Sequence, residues 1–187
     1  AAMLRALRRL GLAVGPAKAG PDYIDPGFLA AAAGRRAWTL DPWGMRLATL
    51  IDSLARAAAD ADLVLVEGVM GLFDGAIDGT GSTGDLASLL GAPVVLVVDA
   101  HGVGASIAAL VEGFVRFRED VEVAGIVLNR VASDRHARLL VSALDDRLAV
   151  PVLGWLPTAP TLALPGRHLG LVQAGEHGDL DAMLDRA

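Results

Sequence analysis

The sequence contains no cysteine, which excludes disulfides, thiolate metal sites and a cysteine nucleophile within this chain. Lysine is almost as scarce. Of 16 basic residues one is a lysine, Lys18, and the other 15 are arginines. Lys18 is expected in a Gly/Pro-rich loop after the first strand rather than on a helix face, so either its presence is incidental or a compact ammonium is wanted there. Aromatic residues are only 4% against 53% apolar residues, so the core must be built from Ala, Val, Leu and Ile. Long apolar runs are missing as well. The run Val94 to Val98 stops at an acid after a handful of residues, whereas a membrane-spanning helix needs about 20. With no signal segment evident, the expected location is the cytoplasm. Excess positive charge is also lacking: 22 acidic residues against 16 basic give a net charge of −6, which argues against a nucleic-acid or anionic-membrane partner.

What is present is a regular alternation. At 187 residues one domain with a substantial core is the natural expectation, since about 70% of unfolded surface is buried at this size. Strands are predicted at Leu12 to Ala17, Leu63 to Val66, Pro93 to Val98, Val123 to Leu128 and Val150 to Trp155. Helices are predicted over Ala1 to Leu10, from Asp41-Pro42 to about Ala59, over Gly84 to Leu90 and Val103 to Phe117, and from a Ser133 cap to about Leu148. Continuous apolar strands between amphipathic helices predict an α/β fold, a mostly parallel sheet with helices on both faces. The first helix has no N-cap and no initiating Met, so residues upstream are expected to be missing. Residues 1–157 read as one domain and 158–187 as a linker or C-terminal excursion, with a terminal helix near Leu180 to Leu184.

In such sheets ligands sit beyond the carboxyl ends of the strands, and the polar motifs fall there. Glu67 follows an apolar strand and can bind Mg²⁺ or cap a nearby turn. Gly68, Gly71 and Gly75 allow close backbone approach, and Asp74 adds a second acid to that loop. Asp22 and Asp25 flank Tyr23 between Pro21 and Pro26; they can hold metal or substrate, or simply make turns. Asn129 can read a purine edge or cap its loop. Ser82-Thr83-Gly84-Asp85 reads first as a helix cap. The four histidines lack ligand spacing, which argues against zinc, and no G-x-S-x-G elbow occurs.

The run Gly20-Pro21-Asp22-Tyr23-Ile24-Asp25-Pro26 and the run Glu67-Gly68-Val69-Met70-Gly71-Leu72-Phe73-Asp74-Gly75 resemble the cobyrinic acid a,c-diamide synthases. Leu40 to Trp43, Gly81 to Ala87, Gly125 to Val131 and Leu164 to Leu171 follow in the order of that family. The resemblance implies a P-loop NTPase-like, dethiobiotin-synthetase-like domain joined to a glutaminase domain. ATP and Mg²⁺ would phosphorylate the a and c carboxylates of a corrin precursor, and glutamine-derived ammonia would amidate them, in cobalamin biosynthesis. Glu67 would ligate Mg²⁺ and Lys18 would neutralise phosphate. Asp22, Tyr23, Asp25 and Asp74 would line the activating site, while Asn129 and the Gly154 to Pro157 loop, with Trp155 and Pro157, would contact adenine. The chain departs from the pattern in having no G-x-x-x-x-G-K-[ST] loop and no cysteine-bearing glutaminase half, so it is expected to be inactive alone. Gly44 and Gly166 stand where bulkier or charged residues are expected. Two other readings stay open, a related amidotransferase for another tetrapyrrole or small acid, and a non-catalytic ParA/MinD-type partner protein, and so does homodimerisation.

Overall fold

The computed structural model describes residues 1–159, 173–176 and 178–186; the motif Leu164 to Leu171, with Gly166, lies outside them. Helices and strands alternate as the apolar pattern predicts. In chain order they are α1 (Ala2–Arg9), β1 (Val14–Ala19), α2 (Asp25–Ala33), β2 (Trp38–Leu40), α3 (Leu47–Ala58), β3 (Leu63–Glu67), α4 (Thr83–Leu90), β4 (Val94–Asp99), α5 (Ile107–Phe117), β5 (Val123–Val131), α6 (Asp134–Asp145), β6 (Val152–Pro157) and α7 (Leu180–Arg186). They belong to two compact units, Ala1–Leu86 with Leu162–Ala187, and Ala87–Thr161. Each unit holds one three-stranded sheet, β2-β1-β3 in the first and β4-β5-β6 in the second. Every pairing is parallel, so the expected α/β class with parallel strands is borne out.

In the first unit every residue of β1 is buried, because small side chains let neighbouring elements close on it. Pro16 is tolerated in this central strand because β2 pairs only from Ala17 onward, which leaves one side of Pro16 without a ladder to interrupt. Leu4 of α1, Val14, Leu29 and Ala32 of α2 and Leu184 of α7 form one buried apolar cluster. Gly15 sets the closeness of α3. A Cβ there would lie 1.9 Å from the carbonyl oxygen of Ala57, so Gly15→Ala is expected to cost about 1–3 kcal/mol through overpacking. Urea unfolding measures this directly, and an unchanged midpoint would contradict the packing.

Two elements escape the sequence pattern, and two predicted starts are wrong; the helix expected from Val103 begins only at Ile107. The α2 segment is nearly all apolar and alanine, so it shows no polar face, yet Pro26 sits in its first turn and Gly34 ends it at φ 67°. The Asp22 to Pro26 stretch is therefore the entrance of a helix rather than a free loop. The three-residue β2 is too short to display periodicity. Conversely, Asp41-Pro42 does not begin α3, which starts at Leu47. Asp41 Oδ1 accepts from Trp43 N at 3.0 Å and its carbonyl accepts from Met45 N at 3.0 Å, a local turn that competes with the helix. A Cβ on Gly44 would meet Asp41 Oδ2 at 2.6 Å, so glycine suits that turn.

In the second unit the Ser133 cap is borne out: its side chain accepts from His136 N at 3.2 Å. The β5 strand runs beyond the expected Leu128 to Val131 and carries a bulge. Leu128 pairs with Trp155 and Val131 with Pro157, so three steps on β5 match two on β6. Among the described residues no helix is long and apolar enough to cross a membrane.

Candidate functional site

Lys18 lies within β1 rather than in a loop after it, because the strand runs on to Ala19, and parallel pairing of β1 with β3 puts it directly across from Glu67 at the carboxyl ends of both strands. The side chain of Lys18 is only 3% exposed and is met by acids from two elements. Its ammonium donates to Asp25 Oδ2 at 2.6 Å, to the carbonyl of Gly68 at 2.9 Å and to Glu67 Oε1 at 3.3 Å. Asp22 Oδ2 stands 3.7 Å away. Burial works against the charged lysine, but the hydrogen bond to Asp25 and the charges of Glu67 and Asp25 outweigh it and raise its pKa above the ordinary lysine value.

Asp22 has two tasks at once. Its Oδ1 accepts from the backbone N–H of Ile24 at 2.8 Å and of Asp25 at 3.1 Å, which fixes the entrance to α2. Burial opposes its charge, yet these two backbone bonds prevail and lower its pKa below the ordinary carboxylate value. Tyr23 between the two acids is 76% exposed. Asp74 sits in the loop after β3, where its Oδ2 accepts from Gly71 N at 2.8 Å and so closes its own turn. The described contacts thus bring Lys18, Asp22, Asp25 and Glu67 together and leave Tyr23 and Asp74 outside that set. Thr83 adds a contact that the sequence does not announce: its hydroxyl accepts from Val69 N at 3.1 Å and ties the loop to the start of α4. The cap-like Ser82 to Asp85 run was the available signal, and the reciprocal bonds of Ser82 and Asp85 bear out the capping reading.

In the second unit Asp99 ends β4 opposite Asn129 on β5. Asn129 Oδ1 accepts from Arg130 N at 2.9 Å, and Arg130 adopts φ 57°, a left-handed conformation rare for a side chain of this size. The bulge turns the Arg130 guanidinium onto Asp99, with Nε donating to Oδ1 at 2.8 Å and Nη2 to Oδ2. Arg130 was overlooked, although a basic residue one step beyond Asn129, opposite an acid that ends the next strand, is legible in the sequence. Gly154 to Pro157 are part of β6 rather than a loop, because the strand runs on to Pro157 beside β5, and Trp155 lines an open groove of about 740 Å³ with Arg138, Ser142 and Asp145 of α6. Asn129 and Pro157 are not among the residues lining that groove. The side-chain hydrogen bond from Arg130, joined by the backbone N–H of His101, pushes the Asp99 pKa down to about 2. Because the folded-state value is depressed, any stability from this pair is present above the ordinary carboxylate range and is lost as pH falls through about 2. Carboxyl NMR titration is expected to find that midpoint, and Arg130→Ala to raise it toward the ordinary carboxylate value; equal midpoints in the two proteins would remove Arg130 as the cause.

Residues 30–165 match a family model described as an AAA domain. The chain belongs to this AAA-domain family. It is also 55% identical over 185 residues to the hydrogenobyrinate a,c-diamide synthase of Rhizobium meliloti (strain 1021), covering 99% of this chain and 43% of that protein. A protein of the same name from Brucella anthropi is 57% identical over 187 residues, with 99% and 42% covered. The Mesorhizobium japonicum relative, again so named, is 51% identical over 187 residues, with 98% and 42% covered. The chain spans about two fifths of the length of these curated relatives. The resemblance read from the Asp-Tyr-Ile-Asp and Glu-Gly-Val-Met-Gly runs is borne out.

Membership of the AAA-domain family implies nucleotide binding, and one observation bears on a metal beside it. Glu67 Oε1 accepts from Lys18 Nζ at 3.3 Å, and the Glu67 side chain is 35% exposed. Among the described residues of this AAA-domain chain, no three or more His, Cys, Asp or Glu side chains are grouped to hold a metal. A single carboxylate still suits Mg²⁺, which usually keeps several waters and takes its other ligands from substrate phosphates.

Proposed function

We propose that this chain is the synthetase portion of a hydrogenobyrinate a,c-diamide synthase, activating the a and c carboxylates of a corrin with Mg-ATP for amidation. The observation that carries the reading is the acid cluster around a buried ammonium at the ends of β1 and β3. It is supported by relatives named for this reaction over nearly all of the chain. Their names favour the cobalt-free corrin, hydrogenobyrinate, as substrate, and the cytoplasm is the compartment we propose.

In the proposed reaction a corrin carboxylate oxygen attacks the terminal phosphorus of ATP, the bond to the bridging oxygen breaks, and ADP leaves. Ammonia then attacks the acyl carbon; phosphate departs, the nitrogen loses a proton, and an amide remains. Ammonia would come from glutamine through a glutaminase domain. Such phosphoryl transfer depends on positioning and charge stabilisation rather than on a protein nucleophile. Glu67 would hold Mg²⁺, which when bound would neutralise phosphate charge. Asp22 and Asp25 would orient the reacting part of the corrin, with Tyr23 and Asp74 assigned to the same task. In the second unit Asn129, Trp155 and Pro157 keep the proposed role of purine contacts.

The test uses the full-length gene product with hydrogenobyrinic acid, glutamine and Mg-ATP, followed by mass spectrometry and ADP release. The expected result is two amides and two ADP per corrin. No ATP-dependent change in the corrin, or faster turnover of another carboxylic acid, would sink the proposal.

A further inference from the structure

Resting on that reading, we infer that Trp43 is a substrate-contact residue, whose indole offers a fixed apolar face to the flat, conjugated ring of the corrin. Tryptophan is a large side chain that proteins bury on average, and this sequence has only three. Trp38 is covered by the Arg36 guanidinium, 4.3 Å from the ring centroid. Trp43, in contrast, is 70% exposed. It follows β2 at the carboxyl end of the sheet that carries the acid cluster. Met70, 75% exposed, stands on the loop after β3 at that same end of the sheet. Large apolar side chains gathered in water mark binding surfaces.

The loops that carry these side chains are stitched into one rim. Gly20 N donates to the carbonyl of Leu40 at 3.0 Å, which joins the end of β1 to the end of β2. A Cβ on Gly20 would lie 2.9 Å from Val69 Cγ1, so the loop after β3 closes on the same point. Val69 is bonded in turn to Thr83 at the start of α4. A Cβ on Gly81 would lie 2.7 Å from Trp43 Cβ, which brings the rim back to the indole. Gly81 adopts φ 82°, a conformation that favours glycine, and its missing side chain makes room for the inner edge of the ring. The backbone of Trp43 is fixed as well, because its N–H donates to the buried Asp41 at 3.0 Å. An aromatic face set in advance loses little freedom when a ligand covers it.

The charge of the cluster supplies the reason for such a face. Asp22, Asp25 and Glu67 surround one lysine, so the side chains there carry an excess of negative charge, which repels the carboxylate arms of a corrin. Affinity must then come from a part of the substrate that does not react. An indole gripping the ring provides it and leaves an arm to reach the cluster.

The experiment measures steady-state amidation of hydrogenobyrinic acid by the full-length gene product, varying the corrin and ATP separately, with thermal melts on each variant. Trp43→Ala is expected to raise the KM for the corrin at least about tenfold, the scale of one lost ring-on-aromatic stack. The kcat and the KM for ATP should each change by less than about twofold, the pattern of lost substrate binding. Trp43→Tyr keeps an aromatic face and should stay within about threefold of the wild-type corrin KM. Trp43→Leu keeps a bulky apolar cover over Gly81 without that face, so the same defect as in Trp43→Ala is expected; it carries the test if the alanine variant fails to fold. An unchanged corrin KM in Trp43→Ala, an equal rise in both KM values, or full recovery by leucine would each overturn the inference and leave the functional reading standing. If the wild-type protein converts no hydrogenobyrinic acid with Mg-ATP and glutamine, the functional reading itself fails, and this inference with it.

Discussion

In the full-length protein Asp22→Asn is expected to lower corrin amidation by about 100- to 1,000-fold, the scale on which a preorganised electrostatic contact acts, with little change in thermal unfolding. The substitution separates the two tasks of this residue. An asparagine side-chain oxygen can still accept from Ile24 N and Asp25 N, the contacts that hold the entrance to α2. It cannot supply the negative charge that stands 3.7 Å from Lys18. Asp22→Ala removes both contributions and should also destabilise the fold by about 1 kcal/mol, as loss of a helix-entrance acceptor does. Steady-state amidation and circular-dichroism melts on both variants check this. Normal turnover by Asp22→Asn would reduce Asp22 to a turn-maker.

Glu67→Gln is expected to shift the Mg²⁺ requirement of ATP consumption by more than about tenfold. Groups that only orient a metal's ligands already cost about 10- to 100-fold when mutated, so in the proposed role of Glu67 the loss of its charge should cost at least as much. Glutamine keeps the shape of the side chain and an oxygen to face Lys18 Nζ, now 3.3 Å from Oε1, so a change in Mg²⁺ response reports charge rather than packing. ADP release titrated against Mg²⁺ at saturating ATP gives the midpoint. An unchanged midpoint would return Glu67 to a role in capping the loop that begins at Gly68.

The sequence made the alternation of strands and helices legible because continuous apolar runs such as Val94 to Val98 have few other uses. The order of strands within each sheet was not legible, since apolar strands of similar composition carry no address. α2 was missed because alanine and phenylalanine leave no polar stripe, and the start of α3 was misplaced because Asp-Pro serves a turn as well as a helix. At the site, Lys18, Asp22, Asp25 and Glu67 could be chosen from motif position and the scarcity of lysine. Their mutual contacts could not: the facing of Lys18 and Glu67 depends on register between strands 44 residues apart at their near ends, Ala19 in β1 and Leu63 in β3. Arg130 was hidden because its importance lies in a backbone bulge, which depends on the pairing of β5 with β6.

The solitary lysine also determines how this chain meets amine-directed chemistry. Among side chains, acylating reagents, aldehydes and lysine-modifying enzymes have one lysine to address in this sequence, and it is buried among carboxylates that keep it protonated. A protonated amine is not a nucleophile, so the native fold should resist side-chain acylation, and the appearance of a label at Lys18 would report the opening of this one corner of the molecule.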